Sequence, residues 1–416
     1  ATQVAGGTQN VAKGGKAIDS VITKDGIVNL AAGANAKGTE VTKGTLNNNG
    51  GVDTDTVVST EGKLVLTGGS ETAIATSTGA KVAEGGVVTA GDHSVIEKMI
   101  SSGNVTASGN NTIVRDTTIN DGKLSLAGTA TANNTTFNGG IFSVEGDTAA
   151  TKTKMTGGEF AVTGNAKIED TVLNASDFSL ADKATANNTT LTDGTFTVAG
   201  DAAVTATNMS GGKFAVKGKA KIKDTQLSAG NFTLAENATA NDTTLNGGKF
   251  DVSNEATATN TTINNGLFTL KDGAHADSTT VNSGTFVMAD QSTANGIQLV
   301  DSAFTLASGA KASGITKLTG GQAQVAGSLE SLSLTGGRAD FANSAKASGL
   351  LDISADSQII MNRGADTAQA NLNLAGRLEL LASDVAQAVA QPVARAAMEL
   401  SNARAVMPAP AMPVPA

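Results

Sequence analysis

The sequence contains no Cys, no Trp and no Tyr, and none of its five Pro precedes Pro392. Without Cys there is neither a disulfide nor a thiolate metal site, which is compatible with an export route that keeps a chain unfolded in transit. Only 12 Phe supply aromatic bulk in 416 residues, so no thick aromatic core can form and a sugar-stacking platform lacks its usual parts. A long stretch free of Pro suits continuous backbone ladders in which every N–H is used. Charge is not concentrated either: 29 Lys and Arg stand against 38 Asp and Glu, a net charge of −9, and the basic residues are scattered singly. This argues against a nucleic-acid partner and against attraction to an acidic membrane surface. No apolar run approaches the roughly 20 residues of a spanning helix. The chain opens on "ATQVAGG" without a signal-peptide pattern, so it is expected to be the processed form of a secreted protein.

What is abundant is Gly, 49 residues of it, and it recurs in register. Units of 18 residues start at Gly122, Gly140, Gly158, Ser176, Gly194, Gly212, Gly230, Gly248, Gly266 and Gly284. Their third position reads Leu124 and then Phe142, Phe160, Phe178, Phe196, Phe214, Phe232, Phe250, Phe268 and Phe286, with Phe304 extending the column. The fifth position is apolar (Val216, Leu234, Val252), the ninth and eleventh are mostly small (Ala238, Ala240), and the sixteenth is apolar again (Leu227, Leu245, Ile263). Within each run the apolar residues are two apart, the period of a strand rather than a helix.

Three short strands per unit cannot bury their inner faces alone, but stacked units can. An all-β parallel β-helix with coils of about 18 residues and three strands per coil follows, each column becoming a stack of like side chains about 4.8 Å apart. Because 18 residues is also three hexapeptides, a left-handed β-helix is the alternative. Against it, the apolar positions are not spaced by six on all three walls. The fourteenth position is Thr135, Thr153, Thr171, Thr189, Thr207, Thr225, Thr243, Thr261 and Thr279. It shares parity with the sixteenth, so it is expected to form an internal ladder with methyls packed and hydroxyls bonded to neighbours or backbone.

The theme continues outside the regular units. "GIVNLAAGANAKGTEVTK" from Gly26 and "GTLNNNGGVDTDTVVSTE" from Gly44 are two more coils, residues 62–103 carry insertions, and the register drifts after Phe304. The expected organisation is a β-helix over 1–376, regular over 122–301, then a terminal coil and an Ala-rich helical segment over 377–407 with Pro392 as its kink, and a Pro-rich spacer over 408–416.

Chemistry is sparse. His93 and His275 are far apart in sequence and read as solvated surface residues. Asp53 and Asp55 share a strand face in "VDTDTV" and could hold Ca²⁺ weakly, but the exposed-polar-face reading is favoured. No carboxylate pair stands out for glycoside hydrolysis, although β-helices can host one. No catalytic, cofactor or metal residue is expected. The Asn-x-Thr triplets, such as Asn133-Asn134-Thr135, match an N-glycosylation pattern merely because the repeat recurs. Outward polar positions twelve, thirteen and fifteen are the candidates for self-contact: Asn133, Asn134, Thr136, Asn187, Asn188, Thr190, Asn241, Asp242, Thr244, Thr262 and Thr280. For the Asn residues, capping of the turn between strands is the competing role.

The stretch "NATANDTTLNGGKFDV" and its copies resemble the passenger repeats of self-associating autotransporter adhesins, the group of AIDA, TibA and antigen 43, and the Pro-rich tail after an Ala-rich segment points to TibA-like members. The resemblance covers roughly residues 1–376. It implies a right-handed β-helix exported to the surface of a Gram-negative bacterium, autoaggregation, biofilm formation and adhesion to host cells or matrix. It also implies, for some members, a glycosyltransferase partner and O-linked heptose on Ser or Thr, with no other cofactor. The family's carboxy-terminal membrane β-barrel has no counterpart here, since no stretch shows alternating ten-residue strands with aromatic girdles. The chain is therefore expected to be a separated passenger, with a β-helical polysaccharide lyase or hydrolase as the alternative.

Overall fold

A computed structural model describes residues 1–381. The helical segment and Pro-rich spacer expected beyond them lie outside the described residues. The described chain is all β, without a helix, and divides into two compact units, Ala1–Lys221 and Ile222 onward.

In the first unit each strand pairs in parallel with the strand one coil later. Lys123–Leu126 is followed on one wall by Ile141–Val144, Glu159–Val162, Ser176–Leu180, Gly194–Val198 and Lys213–Val216. Their register places Leu124, Phe142, Phe160, Phe178, Phe196 and Phe214 in one column, all buried. Ring centroids of successive Phe from Phe142 to Phe214 are 4.7, 5.0, 4.3 and 4.8 Å apart. A second wall carries Ala132, Ala150, Ile168, Ala186 and Val204, and a third carries Phe137, Met155, Leu173, Leu191 and Met209. Alternation of inward and outward side chains along each strand buries these rows and leaves polar ones outside. The second unit repeats the design: Phe232, Phe250, Phe268, Phe286 and Phe304 form its column. Each unit is thus a parallel β-helix.

Two details of the coil differ from the simple three-strand picture. Between the second and third walls one residue takes the left-handed conformation, for example Asp170 (φ 53°), Asn188 (φ 54°) and, in the second unit, Asp242 (φ 56°). Through that corner the two strands run together as single elements, Lys167–Asn174, Thr185–Leu191 and Thr239–Leu245. The repeated Gly has a local cause as well. Gly158 has φ 82°, and a Cβ there would strike the carbonyl oxygen of Gly140 on the preceding coil. Only hydrogen fits where coil backbones approach so closely.

Irregular coils keep the columns by changing the loops. In the first unit extra residues between Lys63–Leu66 and Ala75–Thr78 form a loop closed by Gly69 N–H to the Ala73 carbonyl (2.9 Å). In the second unit the Phe column passes to Ala323, Ala339, Ile359 and Leu378 at uneven sequence steps, while Phe341 drops into the neighbouring column of Leu306 and Val325.

The nine Thr of the fourteenth position are all buried, facing the lumen. Their hydroxyls, however, have no hydrogen-bond partner among the described residues, contrary to the expected bonding ladder. Successive coils hold like side chains roughly 4.8 Å apart, too far for hydroxyl-to-hydroxyl bonds. The column packs through its methyls, and Ile297 takes the place of Thr one coil after Thr279.

Candidate functional site

The outer surface offers corners and flat walls, and the candidate residues divide between them. Asn134, Asn188 and Asp242 are corner residues in the left-handed conformation, which Asn and Asp tolerate better than most side chains. Asn134 Nδ2 donates to Asp116 Oδ1 (2.6 Å) and Asn188 Nδ2 to Asp170 Oδ1 (2.6 Å) on the preceding coil. Asn260 does the same to Asp242 in the second unit (3.1 Å). Beside the corner, Asn133 Nδ2 donates to Thr151 Oγ1 (2.6 Å). These groups stitch one coil to the next, so much of their polarity is spent within the chain. Asn187 is exposed on its wall and Asn241 half-buried.

The fifteenth-position Thr differ. Thr136 and Thr190 in the first unit, and Thr244, Thr262 and Thr280 in the second, are half-buried, outward-facing and make no side-chain hydrogen bond among the described residues. Thr244, Thr262 and Thr280 are direct register partners on three consecutive coils. The next outward row is a ladder that the candidate set omitted: Asn282 Nδ2 donates to Asn264 Oδ1 (2.8 Å), and Asn264 Nδ2 to Asn246 Oδ1 (2.9 Å). Its signal was present as three Asn at the seventeenth position of successive units. Across the corner, at the edge of the second wall, lie Asn241, Thr259 and Asp277, again in register. Two polar rows therefore share the third wall of the second unit, with the third row just across the corner. The row of Asn246, Asn264 and Asn282 is already ordered along the axis, and the Thr row beside it holds hydroxyls left for an outside partner. A flat wall of ordered, repeated donors and acceptors can add many weak contacts.

Residues screened for chemistry go elsewhere. His93 is a half-buried corner residue (φ 52°) whose carbonyl accepts the Ala75 N–H. His275 is half-buried with Nδ1 2.8 Å from Thr293 Oγ1, so neither His is a freely solvated side chain. Asp53 and Asp55 do not share a face. Asp53 points into the lumen and is fully buried, while Asp55 is exposed at the corner with φ 56°. The left-handed corner breaks the alternation that would have paired them, and the weak Ca²⁺ reading falls with it. Among the described residues no group of three or more His, Asp or Glu could hold a metal ion, and no helix is long and apolar enough to cross a membrane.

No protein-family model and no curated protein sequence matches the chain. Among solved structures it is similar to the TibC-catalysed hyper-glycosylated TibA55-350 fragment, with 18% identity and a TM-score of 0.46, over 70% of this chain and 95% of that one. Identity and overlap of this size carry nothing on function.

Proposed function

We propose that this chain is the passenger of a self-associating surface adhesin of a Gram-negative bacterium and acts without catalysis. The observation that carries this reading is the wall of the second unit where Thr244, Thr262 and Thr280 present unengaged hydroxyls in register beside the ordered row of Asn246, Asn264 and Asn282. Two such walls on facing cells can meet through many weak hydrogen bonds at one repeat distance, and linked contacts raise avidity without any single strong one. Biofilm formation and attachment to host cells or matrix follow from the same surface. The outward hydroxyls are also acceptor groups for a glycosyltransferase adding O-linked sugar such as heptose, which would thicken this wall. The repeat pattern's resemblance to autotransporter passengers supports placement at the outer membrane through a β-barrel.

The test is display of the chain on cells that do not clump. Rapid sedimentation, without release of soluble fragments from added polysaccharides, is the expected result. Cells that stay in suspension while a polysaccharide is cleaved would instead assign the chain to the β-helical lyases or hydrolases.

A further inference from the structure

Among the described residues only one ionisable side chain is fully buried, Asp53. It sits on Val52–Thr54 of the first unit, facing the lumen between its register partners Ala36 and Ser77. Its Oδ1 accepts a 2.7 Å bond from Ser77 Oγ, and its Oδ2 accepts a 3.0 Å bond from Asn48 Nδ2. The Asn48 amide is oriented unambiguously, because its Oδ1 accepts the Gly51 N–H (2.7 Å) and leaves Nδ2 for Asp53 and for the Thr76 carbonyl (3.0 Å). Thr56 Oγ1 is near enough to act on the carboxyl but makes no hydrogen bond of ordinary geometry.

Among the described residues no cationic side chain accompanies this carboxyl. The charged side chains of the coils around it, Lys37, Glu40, Asp55, Lys63, Glu71 and Lys81, are all exposed. The other side chains facing the lumen at this level are apolar or hydroxyl-bearing. A lone carboxylate in such surroundings is costly when ionised and far less so when it keeps its proton. The cluster also spans the loop insertion. Asp53 and Ser77 are neighbours on adjacent coils although 24 residues apart in sequence, and the Asn48 bond to Thr76 reaches the same strand. These side chains fasten Ala75–Thr78 to the coil before it, where the chain makes its largest detour.

We propose that Asp53 is an acid-strengthened latch: its protonated carboxyl closes the coils carrying Asn48 to Thr78, and its ionisation as pH rises makes them the most easily opened part of the first unit. Burial pushes the carboxyl above its ordinary value of 3.8, outweighing the opposing hydrogen bonds from Ser77 and Asn48. The folded chain therefore holds a proton that the opened chain releases. The latch's contribution is complete below 3.8 and is lost as pH rises through the raised value.

Hydrogen exchange, corrected for the intrinsic chemical rate, reads the latch in the intact chain. Between the ordinary value of 3.8 and the raised one, the opening constant of segments 48–58 and 75–82 should fall as the solution is acidified, by up to about tenfold for each pH unit. Asp53→Asn should remove this dependence and protect the segments at neutral pH as well as acid protects the original chain. Ser77→Ala, which removes a donor to the ionised form, should enlarge the dependence. Segments within 232–306 serve as the internal reference. A flat response in the original chain, or an unchanged response in Asp53→Asn, would overturn the proposal. Should Asp53→Asn fail to fold, Ser77→Ala decides alone, and a dependence no larger than the original's would overturn it.

Discussion

The rings of Phe232 and Phe250 lie one coil apart with centroids 4.3 Å from each other and planes 2° from parallel. Strand spacing imposes this distance, and the rings meet it by stacking face to face along the axis. Truncating Phe250 to Ala leaves a void that neighbouring coils cannot close without breaking their ladders. The cost should be about 3 to 5 kcal/mol in denaturant unfolding. Lys271→Ala, which removes one exposed partner of a 4.0 Å ion pair with Asp272, should change stability little. Exchange should show the Phe250 damage confined to adjacent coils, since a solenoid couples nearest neighbours. Equal effects from both substitutions would mean that the inward register is wrong.

The lumen Thr column makes a prediction opposite in sign to the usual one for a buried hydroxyl. Thr189 and Thr243 have no partner for their Oγ1 among the described residues, so replacing either by Val trades an unsatisfied polar atom for a methyl of similar shape. Thr189→Val should leave unfolding free energy unchanged or raise it by up to about 2 kcal/mol, whereas Thr189→Ser, which gives up the packed methyl, should lower it by about 1 kcal/mol. A loss on Thr189→Val would reveal a hydrogen bond that the geometry does not contain.

Two adjacent glycines should separate conformational strain from collision. At Gly157, φ is 71° and an added Cβ meets nothing within 4 Å, so Ala should cost about 1 to 2 kcal/mol. At Gly158 the same strain is joined by the clash with the Gly140 carbonyl, adding about 1 to 3 kcal/mol more. Matching losses of thermal stability in the two variants would contradict the close approach of the coils.

Period and parity made the Phe column, the Ala wall and the buried Thr readable in the sequence, because over the 18-residue units every coil repeats its predecessor. They failed wherever the chain turned. Asp53 and Asp55 have the same parity, yet the left-handed corner at Asp55 puts one in the lumen and the other in solvent. Whether a buried Thr hydroxyl finds a partner depends on the spacing between coils, which residue types do not encode. Phe341 changed columns because the loops after Phe304 vary in length, and a fixed repeat cannot follow that. At the candidate wall, the corner role of Asn134 and Asn188 was open as an alternative to self-contact, and their bonds to Asp116 and Asp170 show how they are engaged. The Asn246, Asn264 and Asn282 ladder was less legible because the seventeenth position varies along the chain, with Thr156, Thr192, Ser210 and Ser228 in other units.

If outward hydroxyl rows join one cell to another, a variant confined to those rows should break the contact. Thr190→Lys, Thr244→Lys, Thr262→Glu and Thr280→Lys place bulky charges on the wall, with Lys, Glu and Lys alternating along the second unit so that neighbouring coils attract rather than repel. Displayed on cells, with and without O-linked sugar, this variant should no longer sediment by clumping while its far-ultraviolet spectrum keeps the β signature of the original. Undiminished sedimentation by a chain of unchanged β content would contradict the claim and move the contact to another wall.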